Sequence, residues 1–157
     1  MTNHAREEKN TTLPFHLWEQ QNAIKSAYAR CVEKTCETHG ITRMELDILL
    51  FLANNPCFDT ATDIVEKRYL TKSHVSSSVR LLEACGYLRK EYLKGNRKTA
   101  HLKICDAAAG IVRDGQAAQR QFFSIVMDGF SCGEIQAMKA YHDRMSDNIS
   151  KFLKEEI

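Results

Sequence analysis

Three serines and an arginine recur at helical intervals in this chain. On a helix over residues 72–86, with 100° between successive residues, Ser73, Ser76, Ser77, Arg80 and Ala84 share one face and Val75, Ser78, Val79 and Leu82 share the other. Small hydroxyl side chains let a helix backbone approach a polyanion and can bond phosphate or base edges, and a guanidinium can fork onto a guanine. Lys72 and the first amides of such a helix suit a phosphate. His74, on the flank, is within reach of the same surface. More cations follow: Lys94, Arg97 and Lys98 cluster around Gly95-Asn96, and Arg89, Lys90 and Lys103 flank them. A Ser-rich face alone reads as a solvated helix surface. The basic segment behind it shifts the balance towards double-stranded DNA.

That segment concentrates the positive charge. Residues 67–103 hold ten Lys/Arg against Glu83 and Glu91, a net of +8, while the rest of the chain has 12 basic and 18 acidic residues, a net of −6. One basic face on an otherwise acidic molecule is the electrostatic footprint of phosphate-backbone binding. An enzyme is a poor fit. The chain has no Gly-rich phosphate loop, no nucleophile elbow and no clustered acid/base pair, and it calls for no cofactor. The longest apolar run, Ile48 to Ala53, is far too short for a membrane span, and the polar start MTNHAREEKN has no apolar signal core. A cytoplasmic protein of one compact chain, without membrane contact, is expected.

The elements that must position these side chains can be read along the chain. Residues 1–12 form a polar arm. A helix runs from about residue 13 to 39 and closes at Gly40. Thr42-Arg43-Met44-Glu45 is a capping box opening a second helix to about Asn54, which Asn55-Pro56 ends. Thr60 to Asp63 opens a short third helix to about Lys67. The serine-bearing helix follows and stops at Gly86. Residues 87–93 and 99–104 have strand content, with a hairpin tip over 94–98. A helix over about 106–127 comes next, and Ser131-Cys132-Gly133-Glu134 caps a last helix to about Lys154. The fold class is mainly α with a small β-hairpin wing (α+β).

In this order the motifs resemble the MarR family of winged helix-turn-helix transcriptional regulators. Residues 41–49, ITRMELDIL, are similar to that family's "LTxxQxxxL" helix, with Glu45 for Gln; residues 70–83, LTKSHVSSSVRLLE, resemble its recognition segment; residues 86–90, GYLRK, resemble its exit motif. At the wing, where the family has Asp-x-Arg, this chain has Asn96-Arg97-Lys98. Cys105 replaces the usual capping Thr, so Asp106 is the expected cap. The resemblance implies a homodimer built from the first and last helices, which divides the chain into an arm and dimerisation helix (1–40), a DNA-binding lobe (41–105) and C-terminal dimerisation helices (106–157). The seam Ile135, Met138, His142, Met145, Ile149 and Phe152, at alternating three- and four-residue steps, independently allows helix–helix pairing. The resemblance also implies a small-molecule effector and a repressor on a near-palindromic operator. The DNA-binding residues would be Lys72, Ser73, His74, Ser76, Ser77, Arg80, Arg89, Lys94, Arg97 and Lys98.

Six cysteines, none in a CxxC pair, read as free thiols in a reducing compartment. Cys36 and His39 share a helix face, but two ligands do not make a metal site, and no metal is expected. Cys105, at a helix start, has the best local argument for a redox thiol, since a helix N-terminus favours thiolate. A thiol-sensing regulator, or a winged-helix interaction module without DNA binding, are the alternative readings.

Overall fold

The computed structural model describes residues 16–155, with side chains from residue 19 to 154. The expected polar arm and the beginning of the first helix lie outside them. Six helices and a hairpin follow in order: α1 (His16–His39), α2 (Arg43–Asn54), α3 (Ala61–Arg68), α4 (Lys72–Ala84), β1 (Leu88–Leu93), β2 (Asn96–Ile104), a short 3-10 turn (Asp106–Ala108), α5 (Ala109–Val126) and α6 (Cys132–Glu155). Two compact units are distinguished, one up to Gln119 and one from Arg120 onward.

In the first unit α2 is the central element. Leu46, Ile48, Leu49, Leu50, Phe51 and Leu52 are all buried, so it is covered on every side. Around it the core takes Val32 from α1, Ile64 from α3, Val75, Val79 and Leu82 from α4, Leu88 and Leu102 from the hairpin, and Ile111 and Ala118 from α5. Gly115 of α5 lets that helix close on α2: a Cβ there would lie 2.9 Å from Leu46 Cδ1 and 3.0 Å from Leu50 Cδ2.

The helix starts are set locally. Thr42 Oγ1 accepts the Glu45 N–H at 3.2 Å while Glu45 Oε2 accepts the Thr42 N–H at 2.7 Å. Thr60 and Asp63 repeat this reciprocal pairing at α3, and Ser131 with Glu134 does so at α6. In each case two otherwise orphaned helix N–H groups find acceptors. The carboxyl of Glu134 is held below its usual range chiefly by the Ser131 hydroxyl, then by its backbone N–H. Asp106 does not cap α5. Cys105 occupies the N-cap position without a side-chain hydrogen bond, and Asp106 lies inside the 3-10 turn, whose Ala108 N–H bonds back to the Cys105 carbonyl at 2.9 Å. The chain tightens there before α5 begins, which moves the expected cap inside the helical region.

The second unit contains the end of α5 and α6. Along α6, Tyr141, Met145, Ile149 and Phe152 are each at least half exposed. No helix among the described residues is long and apolar enough to cross a membrane.

Candidate nucleic-acid interface

The serine-bearing helix is α4. Its Val75, Ser78, Val79 and Leu82 are buried, and Lys72, Ser73, His74, Ser76, Ser77, Arg80 and Ala84 are exposed, as the 100° wheel predicts. Thr71 holds its start by accepting the His74 N–H at 3.4 Å. Gly86 ends it at φ +74, a conformation a side chain resists, with Gly86 N–H on the Glu83 carbonyl and Tyr87 N–H on the Leu82 carbonyl, each at 2.9 Å. That closure turns the chain at once into β1. Before α4 the turn from α3 passes through Tyr69, a non-glycine residue at φ 51 and ψ 43, 76% exposed. Sequence reasoning missed this residue, because no glycine marks the left-handed position. It also missed Leu81, 53% exposed beside Arg80. Seven residues after His74, Leu81 stands on the same flank of the helix.

The hairpin reads Leu88↔Ile104 through Tyr92↔Ala100 and then jumps to Leu93↔Asn96. The reversal is therefore Lys94-Gly95, two residues rather than the expected five, with Gly95 at φ +88. Arg97, Lys98 and Thr99 have no partner across the hairpin and form a bulge in β2. Asn96 fixes that bulge: its Oδ1 accepts the N–H groups of Lys98 at 3.0 Å and Thr99 at 3.2 Å, and its Nδ2 donates to Thr99 Oγ1 at 3.2 Å. Asn96 thus braces backbone, not a guanidinium, and brings no negative charge to the tip.

The expected cations divide by their partners. Arg89 pairs with Glu91 at 2.7 Å, and its guanidinium is held above its ordinary value by Glu91 first and by the Cys105 thiol to a lesser degree. Lys90 meets Glu83 at 2.6 Å. Among the described residues Lys72, Arg80, Lys94, Arg97 and Lys98 have no carboxylate partner. Cys105 is half-buried and unbridged.

Two histidines without a sequence-level role tie elements together. Asp59, before α3, accepts from His101 Nδ1 and Lys103 Nζ, each at 2.7 Å, and its carbonyl takes the Leu102 N–H at 2.6 Å. The Asp59 carboxyl is held below its usual range chiefly by Lys103, then by His101. Thr60 bridges His101 as a one-residue third strand at the wing's root. Similarly, His39 of α1 meets Asp114 of α5 at 2.9 Å, which lowers the Asp114 carboxyl. Burial raises the Cys36 thiol, with Arg43 opposing. Among the described residues no three His, Cys, Asp or Glu side chains converge as metal ligands.

Two helices joined by a tight turn, the second with an exposed polar face, followed by a β-hairpin rooted beside it: this is a winged helix-turn-helix. Residues 39–97, from the end of α1 to the wing, match the model of the MarR family. The whole fold recurs in solved structures. A MarR protein from Peptoclostridium difficile is 16% identical, with TM-score 0.74 over 90% of this chain and 92% of that one. A MarR-family regulator from Listeria monocytogenes complexed with 26mer DNA is 15% identical, with TM-score 0.75 over 86% and 89%. BpsR from Bordetella bronchiseptica, whose DNA binding is regulated by 6-hydroxynicotinic acid, is 14% identical, with TM-score 0.65 over 83% and 98%. At these identities the likeness is one of fold, that of MarR-family transcriptional regulators. Comparison with curated proteins found no match.

Proposed function

We propose that this protein is a cytoplasmic, ligand-responsive transcriptional repressor that binds a near-palindromic operator as a homodimer. The observation that carries the reading is the set of unpaired cations, Lys72 and Arg80 on α4 and Lys94, Arg97 and Lys98 on the wing, around an exposed serine face. Ser73, Ser76, Ser77, His74 and Arg80 read bases from the major groove; Lys72, Lys94, Lys98 and Arg89 hold phosphates; Arg97 works at the wing. A second copy covers the apolar stripe of α6, since Tyr141, Met145, Ile149 and Phe152 exposed together are a surface suited to a helical partner. An effector of small size suits an open groove of about 450 Å³ between α1 and α2, lined by Arg30, Val32, Cys36 and Arg43. Such a ligand shifts DNA binding only by its different affinity for the two dimer forms.

The test is DNA retardation across a salt series, on a duplex selected by the protein from a random-sequence pool. Five phosphate contacts per protomer, from Lys72, Arg89, Lys94, Arg97 and Lys98, give a slope of log K against log salt of about −4 to −5 per protomer. Arg80→Ala relaxes base preference, whereas Arg97→Ala weakens binding across sequences. A slope near zero, with no selected sequence, refutes the reading and favours a winged-helix interaction module.

A further inference from the structure

A notch of about 380 Å³ at the wing tip is lined by Arg97 and by Tyr92, to which no contact is assigned above. Tyr92 is 53% exposed, and across the hairpin it faces only Ala100, which offers little surface to a ring. Alternation along a strand puts Leu88, Lys90 and Tyr92 on one face. Leu88 roots that face in the core, and Lys90 meets Glu83 of α4 on it at 2.6 Å. The face is therefore turned towards α4, and Tyr92 borders the same space about 7 Å further out. On a duplex with α4 in the major groove and the wing at the adjoining minor groove, the feature that crosses this space is the sugar–phosphate strand separating the two grooves.

The backbone beside the notch is braced locally. The bulge that carries Arg97 is locked through Asn96, and Arg97 has no carboxylate partner among the described residues. An aromatic wall beside a free guanidinium matches the two surfaces of a nucleotide backbone, an apolar deoxyribose and an anionic phosphate. Resting on the DNA-binding reading above, we infer that this notch seats one sugar–phosphate of the DNA strand, with the Tyr92 ring packed on the deoxyribose and Arg97 hydrogen-bonded to the phosphate.

Hydroxyl-radical footprinting tests this, because the radical cuts at deoxyribose. The full chain is used with the duplex selected from the random pool, comparing wild type, Tyr92→Thr, which keeps a strand-favouring residue without the ring, and Tyr92→Phe. Wild type and Tyr92→Phe shield the same sugars. Tyr92→Thr uncovers one sugar beside each wing and leaves the remaining footprint. Its affinity falls about tenfold per wing, the effect of returning roughly 60 Å² of apolar contact to water at each, and its salt slope is unchanged, since no charge is removed. A wild-type footprint and affinity in Tyr92→Thr overturns the contact while the DNA-binding reading stands. Loss of the whole footprint in that variant makes Tyr92 a support of the wing and also overturns it. A wild-type chain that binds no duplex overturns both.

Discussion

Replacing Asp59 by Asn should loosen the root of the wing by a predictable amount. The substitution keeps shape and removes charge. It leaves the Leu102 N–H to Asp59 carbonyl bond at 2.6 Å intact, because that bond is backbone. The ion pair with Lys103 Nζ is lost, and the hydrogen bond with His101 Nδ1 loses its carboxylate, each at 2.7 Å. In a buried setting each charge-assisted bond would contribute about 1.5–3 kcal/mol. Here Lys103 is 42% exposed and Asp59 22%, so screening brings each nearer the 0.2–1 kcal/mol of surface pairs. The expected loss is about 1 kcal/mol in all, or about 2–4 °C in Tm for a domain of this size. The pH dependence has a definite sign. Lys103, then His101, hold the folded-state carboxyl of Asp59 below its unfolded value. Its contribution is therefore complete above the unfolded pKa, near 4, and lost as pH falls through the lower folded value. Thermal unfolding of both proteins at fixed concentration, from pH 7 down to pH 3, should show a steady gap that closes below about pH 4. A gap unchanged down to pH 3, or no gap at pH 7, refutes the clamp.

Three further substitutions have expected outcomes. Gly115→Ala gains about 1 kcal/mol of helix propensity but forces a methyl to within 2.9–3.1 Å of the buried Leu46 and Leu50, for about 1–3 kcal/mol of overpacking; a lowered Tm is expected, and a raised one means the leucines yield. Tyr69→Gly removes a left-handed non-glycine residue and should raise stability by about 0.5–1 kcal/mol, read as a higher denaturant midpoint; a lower midpoint means the ring makes a contact worth more than the strain. Asn96→Asp keeps an acceptor for the N–H groups of Lys98 and Thr99 but sets a carboxylate beside Arg97, so DNA retardation should show a salt slope shallower by about one per protomer; an unchanged slope means Arg97 meets no phosphate.

What could be read from the sequence was local. The Thr42/Glu45, Thr60/Asp63 and Ser131/Glu134 pairs are three residues apart, and a helix start needs nothing more distant. The split of α4 into a buried Val75-Val79-Leu82 face and an exposed serine face follows from helical geometry alone. The wing's turn was harder, because its position depends on register between strands, and register is set by pairs such as Tyr92↔Ala100 rather than by the composition of residues 94–98. The histidine clamps were not legible at all. His101 lies 42 residues from Asp59, and His39 lies 75 from Asp114; only the fold brings them together.

The fold also reassigns the charge that first marked residues 67–103. Lys67 lies over the Phe58 ring, Arg68 reaches towards Asp47, and Lys90, Arg89 and Lys103 each hold a carboxylate. These cations stand at seams: the α3 end, the α4–β1 junction and the root of the wing. The unpaired ones stand where a duplex would pass, on α4 and the wing tip. The difference matters energetically. An exposed unpaired cation stays well solvated and meets a phosphate without breaking anything, so counterion release is its full return. Arg89 must first share or give up Glu91, and what it gains from a phosphate is reduced by what that pair was worth. The same argument ranks the proposed interface: Arg80 and Arg97 first, since a guanidinium can bind bidentately, then Lys72, Lys94 and Lys98 as point charges, and Arg89 last.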